Sequence, residues 1–142
     1  MTHASSTPSS PALLSSAVER DFRSQQVQVR RSRYRSGHWA EVLAAWFLRL
    51  KGYQILARRK KTRSGEIDLI ALRGRTLVFV EVKKRGDIET ARWSITPQQS
   101  YRTRCAAEIW LKSSPRYRDY HQRYDAMLVV PGRWPVHVID GA

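Results

Sequence analysis

The stretch "SGEIDLIALRGRTLVFVEVKKR", Ser64 to Arg85, sets Glu66, Asp68, Glu81 and Lys83 among residues that otherwise favour buried strands. Gly74 and Arg75 suit the central positions of a two-residue II′ turn, which makes Arg73 and Thr76 the closing pair. Counting outward sets Asp68 opposite Glu81 and Glu66 opposite Lys83. Side chains alternate along a strand, so Glu66, Asp68 and Ile70 are expected on one face, as are Leu77, Phe79, Glu81 and Lys83. Directly opposed Cβ atoms lie roughly 5 Å apart, and like charges placed there repel. A hard divalent cation such as magnesium neutralises paired carboxylates, keeps several waters and can also hold a phosphate oxygen. Bound there, it would activate a water while Lys83 steers that water or stabilises charge building on phosphorus, the equipment of a phosphodiesterase. The same four residues would equally make a cross-strand salt-bridge network. A register slip of one residue would send Asp68 and Glu81 to different faces.

Glu41 is a further acid. On a helical wheel it falls between Ala45 and Leu48, away from Arg49 and Lys51, so it shares a largely apolar surface. It reads either as an N-terminal acid favoured by the helix dipole or as another carboxylate aimed at the metal. Positive charge brackets the acids: Arg58, Arg59, Lys60, Lys61 and Arg63 precede the first acidic strand, and Lys84 and Arg85 follow the second. Such residues would hold a phosphodiester backbone without reading its sequence, and they also fit an ordinary solvated surface. Trp93, Tyr101, Tyr117 and Tyr120 offer rings for stacking on unpaired bases or for packing.

The elements that must position these groups follow from periodicity. Trp39, Val42, Leu43, Trp46, Phe47 and Leu50 recur at helical spacing, and Gly52 stands where a helix end favours glycine. Tyr53 to Ala57 reads as a short strand and the basic run after it as a solvated turn. Glu66 to Leu72 and Thr76 to Lys83 are predicted as the hairpin. Ala91 to Thr96 is ambiguous. Pro97 opens a second helix that ends near Ser113, carried by Tyr101, Cys105, Ala106, Ile109 and Trp110. Tyr124 to Val130 and Val136 to Ile139 read as strands split by a turn at Pro131 and Gly132. Strands apolar on both faces, with helices to cover them, predict a mixed sheet in an α/β sandwich.

Composition bounds the partners. The chain has 142 residues, 42% of them hydrophobic, enough for one modest core. Residues 1–36, rich in Ser and Pro and then Arg, read as a disordered basic arm, leaving 37–142 as the folded domain. With 26 Lys and Arg against 12 Asp and Glu, the net charge is +14, and a polyanion is the expected partner. The lone Cys105 excludes an internal disulfide, and the 4 histidines are too scattered for zinc spacing, which points to the cytoplasm. No run approaches the roughly 18 apolar residues of a spanning helix, so no membrane is expected. A Ser- and Arg-rich start also mimics a transit peptide, although Glu19 and Asp21 speak against one.

Gly37 to Glu41, "GYQILARRKKTRSGEIDLIA", "LVFVEVKKR" and "RYDAMLVV" together resemble the YraN family of uncharacterised bacterial proteins, across roughly Gly37 to Ile139. That family is similar to the PD-(D/E)xK nucleases and to archaeal Holliday-junction resolvases. The resemblance implies a restriction-endonuclease-like three-layer sandwich with a central mixed sheet flanked by helices. It also implies a Mg2+- or Mn2+-dependent endonuclease acting on DNA, with branched or single-stranded DNA as candidate substrates, and a homodimer. Asp68 matches the motif's aspartate, Glu81 its second acid, Lys83 its lysine and Glu41 the helix glutamate. By that match Asp68, Glu81 and Glu41 hold the metal. Ile67 replaces the motif's proline, and Glu66 has no set place in it. "GDIETARWSITPQQSYRTR" fits the family poorly, so Gln98, Gln99 and Arg102 receive no role.

Overall fold

The structure, a computed structural model, describes residues 20, 21, 23, 24 and 38–142. Apart from those first four, the arm expected over residues 1–36 lies outside the described residues.

Helix α1 is described over 38–50 and stops where its sequence says it should. Gly52 takes φ +90°, the Gly52 amide donates to the Arg49 carbonyl and the Tyr53 amide to that of Leu48, both at 3.0 Å. These two bonds form a Schellman end, which only a residue tolerant of positive φ closes cheaply. Strand β1 (Gln54–Thr62), β2 (Gly65–Arg73) and β3 (Thr76–Lys84) follow, then helix α2 (Ile88–Trp93), helix α3 (Pro97–Ser113), β4 (His121–Val129) and β5 (Val136–Val138). The ambiguous segment before Pro97 thus contributes the end of α2. Asp87 caps it by accepting the Thr90 amide at 2.8 Å.

The strands lie side by side in chain order. β1–β2, β2–β3 and β4–β5 are antiparallel, while α2 and α3 carry the chain across to place β4 parallel to β3. Leu69, Ala71, Val78, Val80, Met127 and Val129 pack under Ala40, Ala44, Ala45 and Leu48 of α1. On the other face Ile70, Leu77 and Phe79 pack under Ala106, Ala107 and Trp110 of α3, with Ala91 of α2 on Ala126 and Leu128. The result is an α/β three-layer sandwich with a mixed central sheet.

One expectation about the elements requires correction. The basic run is not a turn: Arg58 to Lys61 belong to β1, which pairs Arg58 with Leu69, Lys60 with Ile67 and Lys61 with Glu66. β1 is an edge strand, where lysine and arginine can reach water while the backbone pairs, and the turn shrinks to Arg63 and Ser64. The apolar residues of α1 that set its helical spacing divide: Leu43 and Phe47 pack against the core. Alanines meet the sheet, where short side chains allow close approach, and Trp39, Val42, Trp46 and Leu50 are left 53%, 40%, 59% and 77% exposed.

One buried polar network ties the β4–β5 end to α1. Asp125 is wholly buried and accepts hydrogen bonds from Arg123 Nε at 2.9 Å, His137 Nε2 at 2.6 Å and the Asp140 amide at 3.0 Å. Lys51 Nζ lies 2.6 Å from His137 Nδ1, and an ammonium only donates, so Nδ1 accepts and Nε2 carries the proton given to Asp125. Arg123 donates onward to the Tyr53 hydroxyl at 2.7 Å. Burial alone would raise the Asp125 carboxyl, but the bonds from His137 and Arg123 outweigh it and hold the pKa down at about 2.

A depressed carboxyl adds stability above its unfolded pKa of about 3.9 and loses it as pH falls through the folded value. Asp125→Ala should therefore cost about 3–5 kcal/mol in urea unfolding at neutral pH, because it strands Arg123 and His137. It should also flatten the loss of stability between about pH 4 and pH 2. An acid limb as steep in the variant as in the wild type would exclude Asp125 as its source.

Candidate functional site

The β2–β3 hairpin keeps the predicted turn and register. Gly74 has φ +59° while Arg75 does not take positive φ, as a II′ turn requires, and Arg73 pairs with Thr76. The ladder then runs only to Leu69 and Val80. Asp68 and Glu81, and Glu66 and Lys83, are therefore not ladder partners as the count from the turn implied. Instead Asp68 Oδ2 accepts the Val82 amide at 2.8 Å, a side chain taking the place of a backbone carbonyl. β3 meanwhile stays paired with β4 out to Lys84 and Val129, so β2 and β3 part at the acids.

The expected facing of β2 also changes. Ile67 packs in the same cluster as Ile70, although residues three apart point to opposite sides of a regular strand. The alternation therefore changes phase between them, at Asp68 and Leu69. Glu66 and Asp68 meet Glu41 of α1, while Ile70 packs under α3. On β1, Arg59 sits between the pairs Arg58–Leu69 and Lys60–Ile67 with φ +52°. Few side chains adopt that conformation, which costs of order 1–3 kcal/mol, and such irregularities re-aim a side chain. Arg59 Nε lies 3.4 Å from Glu41 and 3.5 Å from Glu66, and its guanidinium also bonds the His38 ring.

Glu41, Glu66 and Asp68 each offer a carboxylate oxygen, and these oxygens lie within 4.8 Å of one another. Glu81 stands outside that group; Lys83 Nζ holds its carboxylate at 3.2 Å, with both side chains about nine-tenths buried. Burial pushes Asp68 up to about 8, and Glu81 is the neighbouring charge that adds most. Burial likewise pushes Glu41 up to about 7, against the pull of Arg59 and with the help of Glu66. The carboxylates are thus short of positive charge even with Arg59 among them. Oxygen-only donors, this close and this poorly neutralised, fit a hard divalent cation.

The flanking cations divide. Arg58 and Arg59 line a cavity of about 500 Å³ together with His38, Glu41 and Val42. Lys60, Lys61 and Arg63 are exposed along the rest of the edge, and Lys84 and Arg85 close the β3 end. Of the aromatic candidates, Tyr117 and Tyr120 are committed to packing: Tyr117 stacks on Trp110 at 5.6 Å and meets Tyr120 at 5.2 Å. Trp93 and Tyr101 remain exposed. Sequence reasoning set Glu66 on one face with Asp68 but left its role open. Nothing in the sequence marked Arg59 apart from its basic neighbours.

Acids with raised pKa values hold protons in the folded chain that the unfolded chain releases. Stability contributed by Glu41 and Asp68 is therefore greatest at low pH and falls as pH rises from about 4 through 7–8. In chelator, Asp68→Asn should remove part of that fall and melt above the wild type at about pH 8. Magnesium at the same pH should raise the wild-type Tm by about 4–8 °C for each kcal/mol of binding and leave Asp68→Asn unmoved. A wild-type melt indifferent to magnesium and manganese would show that the carboxylates hold no cation.

Comparison with known proteins matches residues 40–129 to the model of the uncharacterised protein family UPF0102, a span that contains Glu41, Glu66, Asp68, Glu81 and Lys83. A UPF0102 protein of Mesorhizobium japonicum is 51% identical over 109 residues, covering 77% of this chain and 87% of the relative. One from Rhodopseudomonas palustris is 49% identical over 105 residues, 74% of this chain and 80% of its own. One from Brucella canis is 49% identical over 102 residues, 72% and 81% respectively. With about half of the aligned residues identical across most of both chains, the protein belongs to the UPF0102 family, the YraN family that its GEID and EVKK stretches resemble.

Proposed function

We propose that the chain is a metal-dependent nuclease of the PD-(D/E)xK type, with a restriction-endonuclease-like fold, hydrolysing phosphodiester bonds in DNA. The observation that carries this is the gathering of Glu41, Glu66 and Asp68 within 4.8 Å at the point where β2 and β3 part, beside the Glu81–Lys83 pair. Glu41, Glu66 and Asp68 would hold Mg2+ or Mn2+, with Glu81 as the motif's second acid, the neighbouring charge that most raises Asp68 and the carboxylate that holds Lys83. A divalent cation so bound would polarise a phosphoryl oxygen and ready a coordinated water for attack. Lys83, 8% exposed and fixed by Glu81, donates hydrogen bonds where negative charge builds on the phosphoryl oxygens. Arg58 and Arg59 receive the phosphate in the adjoining cavity, while Lys60, Lys61, Arg63, Lys84 and Arg85 extend the grip along the backbone. Arg59 must leave Glu41 and Glu66 as the cation enters, and a phosphate oxygen gives it a new partner.

Arg59 also favours a second reading. It already meets two of the carboxylates, so the chain could bind DNA with the fold intact and cut nothing. The two readings separate in one set of assays, with branched, single-stranded and duplex DNA plus magnesium or manganese. Cleavage should fall at least about a hundredfold in Asp68→Asn and Lys83→Ala, while DNA binding in chelator persists. Cleavage unchanged in both variants would refute the catalytic assignment. Salt-sensitive binding with no cleavage by the wild type would establish the second reading.

A further inference from the structure

Helix α1 is apolar on both sides. Its alanines and Leu48 face the core, and the opposite side carries Trp39, Val42, Trp46 and Leu50 at intervals of three and four, all exposed. A helix apolar all round is normally enclosed, and a contiguous exposed stripe of this kind marks a binding surface. Two features indicate what it binds. Each indole carries a cation: Lys84 Nζ lies 5.4 Å from the Trp39 ring centre and the Arg49 guanidinium 5.2 Å from that of Trp46. The stripe also runs into the candidate site, because Val42 lines the cavity shared by Arg58, Arg59 and Glu41. A second copy of a chain with net charge +14 would bring more positive charge onto these cations, whereas a polyanion relieves it.

We infer that the outward face of α1 receives unpaired bases of a nucleic-acid strand, with Trp39 and Trp46 as stacking platforms and Lys84 and Arg49 against the neighbouring phosphates. This rests on the nucleic-acid reading of the same site and adds the substrate class, a strand with bases free to stack. Every base presents a ring face, so the platforms select unpaired over paired strands without selecting sequence. Trp39 lies two residues before Glu41 in the chain, and Trp46 about 10 Å farther along the helix axis. A single strand leaving the Arg58 and Arg59 cavity would meet them in that order.

The test is binding of a labelled oligo-dT and of a duplex of equal length to the full chain in chelator, so that the outcome does not depend on metal chemistry. Trp39→Ala and Trp46→Ala should each weaken oligo-dT binding about fivefold or more, Trp39→Phe should keep most of it, and duplex binding should hold. Both side chains are exposed, and circular dichroism should show each variant folded. Oligo-dT binding equal to wild type in both alanine variants overturns the proposal and leaves the nuclease reading standing. A wild type that binds no DNA at all defeats both. Sedimentation showing a wild-type dimer that Trp46→Ala converts to monomer, with oligo-dT binding unchanged, assigns the face to a second copy instead.

Discussion

Like charges gathered in a half-buried place must be protonated or neutralised, and the whole candidate site is organised around that requirement. Asp68, Glu41 and Glu66 converge because β2 and β3 stop pairing at Leu69 and Val80, which frees Asp68 to take the Val82 amide and turn toward α1. One amide and one guanidinium do not suffice, and burial leaves Asp68 near 8 and Glu41 near 7. The layers on either side keep the arrangement from relaxing. Leu69 and Val80, the last paired residues of the hairpin, are fully buried beneath α1, so the strands cannot slide to separate the acids without exposing the core.

The molecule contains its own control for this argument. Asp125 has no exposed surface, yet its carboxyl is held down at about 2. The difference lies in partners: Arg123, His137 and a backbone amide all donate to Asp125, and Lys51 orients the histidine from behind. That acid is satisfied from within the chain, and its work is to fasten β5 to β4 and to the end of α1. Asp68 is not satisfied from within. A buried group left in that condition makes the place a candidate functional site. The two aspartates, alike in type, belong to different kinds of site because of what their neighbours donate.

The backbone of β1 shows how an edge strand serves such a site. Its basic residues satisfy the sheet through their backbone and the surface through their side chains, which is why a run of four cations can be strand at all. Only Arg59, in the left-handed region, is drawn inward, and it comes to rest against the carboxylates rather than beside Arg58 and Lys60. The positive field is thereby delivered both around the acids and among them.

Local chemistry made much of this legible in advance. Gly74 fixed the hairpin and its register, Gly52 the end of α1 and Pro97 the start of α3, because each depends on a backbone conformation that its own residue dictates. The acids and Lys83 were visible as charges in apolar strands. Tertiary structure decided what those charges do. That Glu66 rather than Glu81 lies within reach of Glu41 and Asp68 depends on a phase change in β2 and on a helix some 20 residues away in sequence. The extension of β1 through the basic run depends on pairing with β2, and the outward indoles of α1 on alanines offering the sheet a closer approach than the larger residues would. Periodicity reports that a helix has an apolar side. Which side meets the sheet is settled only when two elements pack, because the energy that decides it belongs to the contact and not to either segment alone.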